Sequence, residues 1–489
     1  MTAPSPVPST LLRAALLHLA PRPWEPEANR AALLAAVEAA ADRGARLILA
    51  PELAVSGYSM RNRDEAARLA EGPQDETLQA LAALCRRRGL HVALGLLERD
   101  PRTGLLHNTA FLMGPEGRLL GRHRKLTASE RRWATPGRPT PASVVDTPWG
   151  RLGLLVCADT YFALPCRTQA LQGADLFVVV ANWPPAGIDP RRAWRARALE
   201  NGVGMLVCNR TGVDQHLDCR EARSYAVGPR GEVLLDGVSP EPTCFVVDLP
   251  LVEGRLPRHP AALEGRCPGH WSALGLDGLN LGDTSYLWGP APEDPVSLLL
   301  HPDVQHLRHG AGLRVAALPE GEASRRALET LASTEDPWPG DLVLAGDDGA
   351  GPFLADADGI HRAGDRDHLF RVCGALRLGV ARPGALRHPE PAVALAKEGC
   401  DLLVLSGSSI SGDLQDLLAV RCLERVPVVL ALDGEAWRFL PPDGHGPWEE
   451  CRVEQPTVLP LDVAARRRRA VFDRLDLDTL LAGADPTDR

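Results

Sequence analysis

Apolar positions in the first half of the chain fall into short runs separated by amphipathic stretches. Leu12 to Leu19 is a short apolar strand. Ala28 to Arg43 has helical periodicity, with Leu33, Leu34, Val37 and Ala40 or Ala41 on one face. Arg46 to Ala50 reads as a buried strand stopped by Pro51, and Thr77 to Arg88 as a second helix ended by Gly89. Leu90 to Leu97 is the next strand, and Asn108 to Met113 and Gly117 to Arg122 form a pair around a glycine-containing turn. The pattern continues with strand Gly150 to Val156, helix Leu164 to Gly173 and strand Asp175 to Ala181. Helix Arg191 to Asn201, strand Gly204 to Asn209 and the pair Tyr225 to Val227 with Glu232 to Leu235 complete it. Parallel units mixed with antiparallel hairpins predict a layered α/β sandwich rather than a barrel.

Residues from about 250 to 311 are rich in Pro, Gly and His and read as a linker or covering extension. No Cys or carboxylate completes a ligand spacing with His301, His306 and His309, so no metal site is expected there. After residue 312 the alternation resumes and echoes the first half. Arg151-Leu152-Gly153-Leu154 returns as Arg377-Leu378-Gly379-Val380, and Gly173-Ala174-Asp175-Leu176 as Gly399-Cys400-Asp401-Leu402. Leu47 to Glu52 recurs as Leu342 to Asp347, Ala110-Phe111-Leu112 as Pro352-Phe353-Leu354, and Arg197 to Glu200 as Arg421 to Glu424. Collinear echoes of this kind predict an internal duplication.

Length and composition agree with this division. A chain of 489 residues exceeds one ordinary core, and 45% apolar with 24% charged residues is a globular balance. A net charge of −9 argues against nucleic acid or an anionic membrane as partner. The run Arg466 to Arg469 is short and flanked by Asp462, Asp473 and Asp476, as on a solvated helix face. No apolar stretch reaches the roughly 18 residues a spanning helix needs, and Leu11 to Ala20 lacks a cleavage site, so no signal peptide is expected. Eleven scattered cysteines suit reduced thiols in the cytoplasm. Only Lys125 and Lys397 are lysines among 54 basic residues.

Three stretches end a buried strand with a reactive group. Glu52 follows an apolar strand and Pro51, at the carboxyl end where open α/β sheets carry their sites. Lys125 breaks this chain's habit of writing Arg, as a site needing a compact ammonium would. Lys397, on what reads as an exposed helix end, shows that a stray lysine also occurs. Cys157 closes the run Leu154-Leu155-Val156 at a strand-to-helix turn, where backbone N–H groups favour thiolate and oxyanion. A strand cysteine is usually a small core residue. Cys85, Cys166, Cys208, Cys219 and Cys244 lack the turn that sets Cys157 apart.

Together these stretches resemble the nitrilase, or carbon–nitrogen hydrolase, superfamily over residues 12 to about 250. The matches are Ala50-Pro51-Glu52-Leu53, Gly121 to Leu126 and Val156-Cys157-Ala158-Asp159. Gly57-Tyr58, His107-Asn108-Thr109-Ala110, Pro136-Gly137, Ala181-Asn182-Trp183-Pro184, Arg197 to Asn201 and Asn209 to Gly212 support them. The resemblance implies a four-layer αββα sandwich over residues 8–255 and a catalytic triad of Glu52, Lys125 and Cys157. It implies a second glutamate, Glu130, near Lys125 and the substrate, and supporting or substrate-binding roles for Tyr58, Ala158, Asp159, Asn182 and Trp183. It implies no cofactor and no metal. Where many small-amide hydrolases of the family have Cys-Tyr-Asp-x-Arg-Phe, this chain has Cys157-Ala158-Asp159-Thr160-Tyr161-Phe162, which alters the pocket and leaves the triad in place.

Residues 256–311 are expected to form the linker, and 312–489 a shorter, degenerate αββα-like unit. There the positions matching Glu52, Lys125 and Cys157 are Asp347, about Asp367, and Pro383. The expected activity is a thiol-dependent amidase releasing ammonia from a small carboxamide. Nitriles, N-carbamoyl-amines and a partner-dependent ammonia-delivering or pseudoenzyme role are the alternatives. The expected partners are that small amide and, within the chain, a pseudo-dimer of the two halves.

Overall fold

The structure is a computed structural model that describes residues 10–126, 132–138, 140–187, 189–215, 217–266, 291–300, 302, 307, 311–333, 339, 341–364, 366, 368–424, 426–442 and 447–467. Glu130, Asp367, His301, His306 and His309 lie outside the described residues. The chain divides into two compact units between Glu264 and Gly265.

In the first unit β1 (Leu11–His18), α1 (Pro26–Asp42) and β2 (Leu47–Leu49) are followed by α2 (Arg63–Leu69) and α3 (Glu76–Arg88). Next come β3 (His91–Arg99), β4 (Leu106–Met113), β5 (Leu119–Arg124), β6 (Val144–Thr147) and β7 (Gly150–Val156). The unit continues through α4 (Ala163–Leu171), β8 (Leu176–Ala181), α5 (Pro190–Asn201), β9 (Gly204–Asn209), β10 (Arg223–Val227), β11 (Val233–Val238) and β12 (Thr243–Pro250). Two six-stranded sheets result, ordered β12-β1-β2-β3-β4-β5 and β11-β10-β9-β8-β7-β6. They face each other through β4 against β7, β1 against β9 and β3 against β8. Helices α1 and α3 cover the first sheet and α4 and α5 the second, which makes four layers, αββα. Strands β2, β4 and β8 are buried at every position, because the sheet has a packed layer on both faces.

The second unit contains β13 (Val296–Leu300), β14 (Arg314–Glu320), α6 (Glu322–Ala332), β15 (Leu342–Asp347), β16 (Pro352–Asp356), β17 (Gly359–Arg362), β18 (His368–Cys373) and β19 (Leu376–Ala381). It goes on with α7 (Glu390–Lys397), β20 (Leu402–Ser406), α8 (Gly412–Arg421), β21 (Val428–Leu432), β22 (Glu435–Leu440), β23 (Glu449–Val453), β24 (Thr457–Leu461) and α9 (Val463–Arg467). Its sheets run β24-β13-β14-β15-β16-β17 and β23-β22-β21-β20-β19-β18. Each strand thus occupies the place of the strand twelve earlier, and every parallel or antiparallel pairing is the same.

Two expectations are corrected here. The stretch taken as linker contributes β13, because Val296-Ser297-Leu298-Leu299-Leu300 finds a parallel partner in β14 and an antiparallel one in β24. The Pro- and Gly-rich sequence before it conceals that short apolar run. The alignment of Leu47 to Glu52 with Leu342 to Asp347 also fails. β15 pairs parallel with β14 and antiparallel with β16, which is the place of β3. The equivalent of β2 is β14. Leu49 pairs with Ala93, and Ala317 with Ala345, so Pro51-Glu52 corresponds to Pro319-Glu320, and Asp347 to Gly95.

Candidate active site

Glu52 sits just past β2 and is fully buried. Its carboxylate Oε1 accepts from Asn108 Nδ2 at 2.6 Å and from Lys125 Nζ at 2.9 Å, and Oε2 accepts from the Asn182 N–H at 2.8 Å. Asn182 Nδ2 also donates to the Glu52 carbonyl at 3.0 Å. Four segments, at the ends of β2, β5 and β8 and within β4, therefore converge on one carboxylate. Lys125 is itself only 3% exposed, so the pair is removed from water and fixed by hydrogen bonds rather than screened.

A glycine makes the turn at Glu52 possible. A Cβ on Gly95 of β3 would stand 2.5 Å from Glu52 Cα and 2.9 Å from Leu53 N. The bare backbone instead exchanges Gly95 N–H to Pro51 O at 3.1 Å and Ala54 N–H to Gly95 O at 2.9 Å. Among the described residues four non-glycines have positive φ: Trp24, Leu53, Cys157 and Glu253. Two of them border the site, Leu53 at 52° directly after Glu52, and Cys157 at 43°. A left-handed conformation costs an L-residue about 1–2 kcal/mol, and such strain persists where surrounding bonds over-determine it.

Cys157 opens a short 3₁₀ turn, Cys157–Thr160, between β7 and α4. Thr160 Oγ1 donates to Cys157 O at 2.8 Å and receives Trp194 Nε1 at 3.0 Å. Arg197, paired with Glu200 at 2.8 Å, donates to Thr160 O and Tyr161 O. Asp159 points back beneath the turn. Its Oδ2 accepts from Val156 N at 3.1 Å and faces His123 Nε2 at 2.8 Å, and its Oδ1 accepts from Leu126 N at 2.9 Å. The segment carrying Lys125 is thereby tied to the segment carrying Cys157. Burial pushes Cys85 up to about 12 and Cys219 up to about 11, and raises Cys166, Cys208 and Cys244.

Tyr58 is half-buried, edge-on to Trp133 at 6.0 Å, and its N–H donates to Asp214, which pairs with the buried Arg210 at 3.0 Å. Trp183 stacks beside Tyr161 at 6.3 Å and meets Trp194 edge-on at 5.7 Å. Its backbone is pinned on both sides by the Asn209 side chain. Ala158 is partly exposed on the turn.

The sequence reading missed three contributors. Asn108 stood in a matching motif without a role, yet it holds both Glu52 and, through its carbonyl, the Lys125 N–H at 2.8 Å. Its signal was three polar residues, His107-Asn108-Thr109, inside an otherwise apolar strand. Gly95 and Trp133 carried no sequence signal. Lys397 was read as exposed and is buried at 7%, on a helix that packs almost every residue inward. Both lysines of the chain are therefore interior. Among the described residues no helix is long and apolar enough to cross a membrane, and no group of three or more His, Cys, Asp or Glu is placed to hold a metal ion.

Residues 13–255 match the family model described as carbon–nitrogen hydrolase. A probable nitrilase of Schizosaccharomyces pombe is 35% identical over 211 residues, 42% of this chain and 75% of that protein. A nitrilase of Pyrococcus abyssi is 31% identical over 46% of this chain and 84% of its own length, and an omega-amidase of Xenopus tropicalis is 28% identical over 46% and 82%. The crystal structure of an amidase from Nesterenkonia sp. aligns with 53% of this chain and 95% of its own, at 27% identity and a TM-score of 0.44.

Proposed function

The chain belongs to the carbon–nitrogen hydrolase family, and we propose that it hydrolyses a small carboxamide through a thioester on Cys157. The observation that carries this reading is the buried Glu52–Lys125 pair, tied through Asp159 to a cysteine in a strained turn.

A free thiol, with pKa about 8.5, is mostly protonated at neutral pH and needs a base. Glu52 takes the Sγ proton, and the sulfur attacks the amide carbon. Charge develops on the carbonyl oxygen, where the Lys125 ammonium and the Ala158 N–H at the start of the turn stabilise it. The C–N bond breaks as Glu52 returns its proton to nitrogen, releasing ammonia. Water, deprotonated by Glu52, then attacks the thioester carbon and frees the acid and the thiol. Glu130 and the Tyr58, Asn182 and Trp183 walls are assigned to the substrate side. Nitrile hydrolysis is the second reading, favoured by the two relatives named nitrilase. The same sulfur would add to the nitrile carbon, and two waters would complete the conversion to acid and ammonia.

The second unit is read as a noncatalytic copy of the first. The shared strand order supports this, as does Pro383 in the place of Cys157, five residues beyond Leu378 as Cys157 is beyond Leu152. At the position of Gly95 stands Asp347, buried and paired with Arg382 at 2.6 Å.

The test is ammonia release from a panel of amides, N-carbamoyl-amines and nitriles by the whole protein and by Cys157→Ala. The expected result is turnover of an amide by the wild type, none by the variant, and a substrate-derived adduct on Cys157 by mass spectrometry. Wild-type turnover by Cys157→Ala, or an adduct on another cysteine, refutes the assignment.

A further inference from the structure

Asp159, expected among the supporting or substrate-binding residues, has a carboxylate that is fully buried and engaged on both oxygens. Its partners are the groups that flank the reactive residues. Val156 N precedes Cys157, and His123 and Leu126 stand on either side of Lys125. The two segments belong to different sheets, β7 to one and β5 to the other. One carboxylate thus bridges the sandwich at the point where nucleophile and ammonium must meet. His123 is fixed in turn at both ring nitrogens, with Nδ1 2.9 Å from Ser143 Oγ and Nε2 2.8 Å from Asp159 Oδ2.

The second unit supplies an internal control. Equivalent positions follow from sheet register. Leu152 pairs with Leu176 and Leu378 with Leu402, so Asp159 corresponds to Ala385. Phe111 pairs with Arg122 and Phe353 with Arg362, so His123 corresponds to Ala363. Contacts that hold the strand and the turn are retained. Arg151 N to Asp175 at 2.8 Å becomes Arg377 N to Asp401 at 2.9 Å. Arg197 donating to Thr160 O and Tyr161 O becomes Arg421 donating to Leu386 O and Arg387 O. Both partners of the Asp159–His123 bridge have become alanine, in the unit where proline replaces the cysteine. The same fold and the same 3₁₀ turn, Pro383–Arg387, form without the bridge. Fold-holding contacts were kept and this one was not.

We infer that Asp159 and His123 are positioning residues that set Lys125 against Cys157, and that neither binds substrate. This rests on the assignment of Cys157 and Lys125 above. Holding reacting groups to within about 1 Å is worth up to ~100-fold in rate, which a ground-state binding contact does not deliver through kcat.

The experiment measures kcat and KM separately for the whole protein carrying Asp159→Asn, His123→Ala, His123→Gln or the pair Asp159→Asn with His123→Ala. Alkylation of Cys157 by iodoacetamide and thermal melting are followed in parallel. Asp159→Asn keeps shape but cannot accept from all three donors, and is expected to lower kcat by ~10- to 100-fold with KM within about 3-fold of wild type. His123→Gln places an amide N–H near the Nε2 position and is expected to recover most of what His123→Ala loses. The pair is expected to be no worse than Asp159→Asn alone, as for residues acting as one unit. A kcat within about 3-fold of wild type in Asp159→Asn, a change confined to KM, or equal loss in the Gln and Ala variants would overturn the inference. Loss of the folded state in Asp159→Asn would also overturn it, by assigning the carboxylate to the fold. If Cys157→Ala is inactive and Asp159→Asn is not impaired, only this inference fails. If Cys157→Ala is active, the catalytic assignment fails first.

Discussion

Gly95→Ala adds one methyl group and tests whether the Glu52 turn is set by a backbone contact. The new Cβ would lie 2.5 Å from Glu52 Cα, 2.9 Å from Leu53 N and 3.0 Å from Pro51 O, all main-chain atoms with no rotamer to yield. Carbon atoms in contact sit about 3.5 Å apart, so the Glu52 segment must retreat by roughly 3.5 − 2.5 = 1 Å. Two backbone bonds, at 3.1 and 2.9 Å, resist that retreat. Overpacking of this kind costs about 1–3 kcal/mol. In a unit of this size that lowers Tm by about 2–4 °C per kcal/mol. The retreat moves the base itself, and a 1 Å error costs on the order of 100-fold in rate. The second unit already has a side chain at this position. There the pairing of β14 with β15 shifts register between Ala317 and Glu320, and the Asp347 side chain is buried and paired with Arg382. Steady-state hydrolysis of the best panel substrate, with melting in parallel, is the assay. A Gly95→Ala protein with kcat/KM within about 3-fold of wild type refutes the reasoning. So does a lowered Tm with unchanged kcat, which would place the strain in the fold and not at the base.

Lys125→Arg is expected to lose ~100-fold or more in kcat, nearly as much as Lys125→Ala, because a planar guanidinium aims its donors differently; near-normal turnover refutes the oxyanion role. Burial pushes His18 down to about 4, against the hydrogen bond to Asn209 O. Between about 6.5 and 4 the unfolded chain therefore binds the extra proton, so this contribution to stability is complete above about pH 6.5 and is lost as pH falls toward 4. In His18→Gln, the slope of unfolding free energy against pH across that window is expected to fall by about one proton, and an unchanged slope refutes it.

Local signals in the sequence located the strand ends that matter. Glu52 follows the run Leu47–Leu49, and Cys157 closes Gly150–Val156, since burial on both faces of a sheet demands unbroken apolar runs and reactive groups stand out where they stop. Lys125 stood out against a chain written in arginine. Composition and periodicity also gave the layered α/β class and the presence of a second such unit. The pairing of the second unit's strands was not legible. Leu342-Val343-Leu344-Ala345 resembles Leu47-Ile48-Leu49-Ala50 because buried strands draw on the same few side chains, and only hydrogen-bonded neighbours show that the first is the counterpart of β3. β13 was hidden for the related reason that five residues acquire strand identity from their neighbours in the sheet, one of them over a hundred residues away, as Val296 does from Leu461. The roles of Gly95, Asn108 and Asp159 were likewise decided in three dimensions. A glycine declares a close approach, and a carboxylate declares its donors, only once the distant segments that meet it are in place.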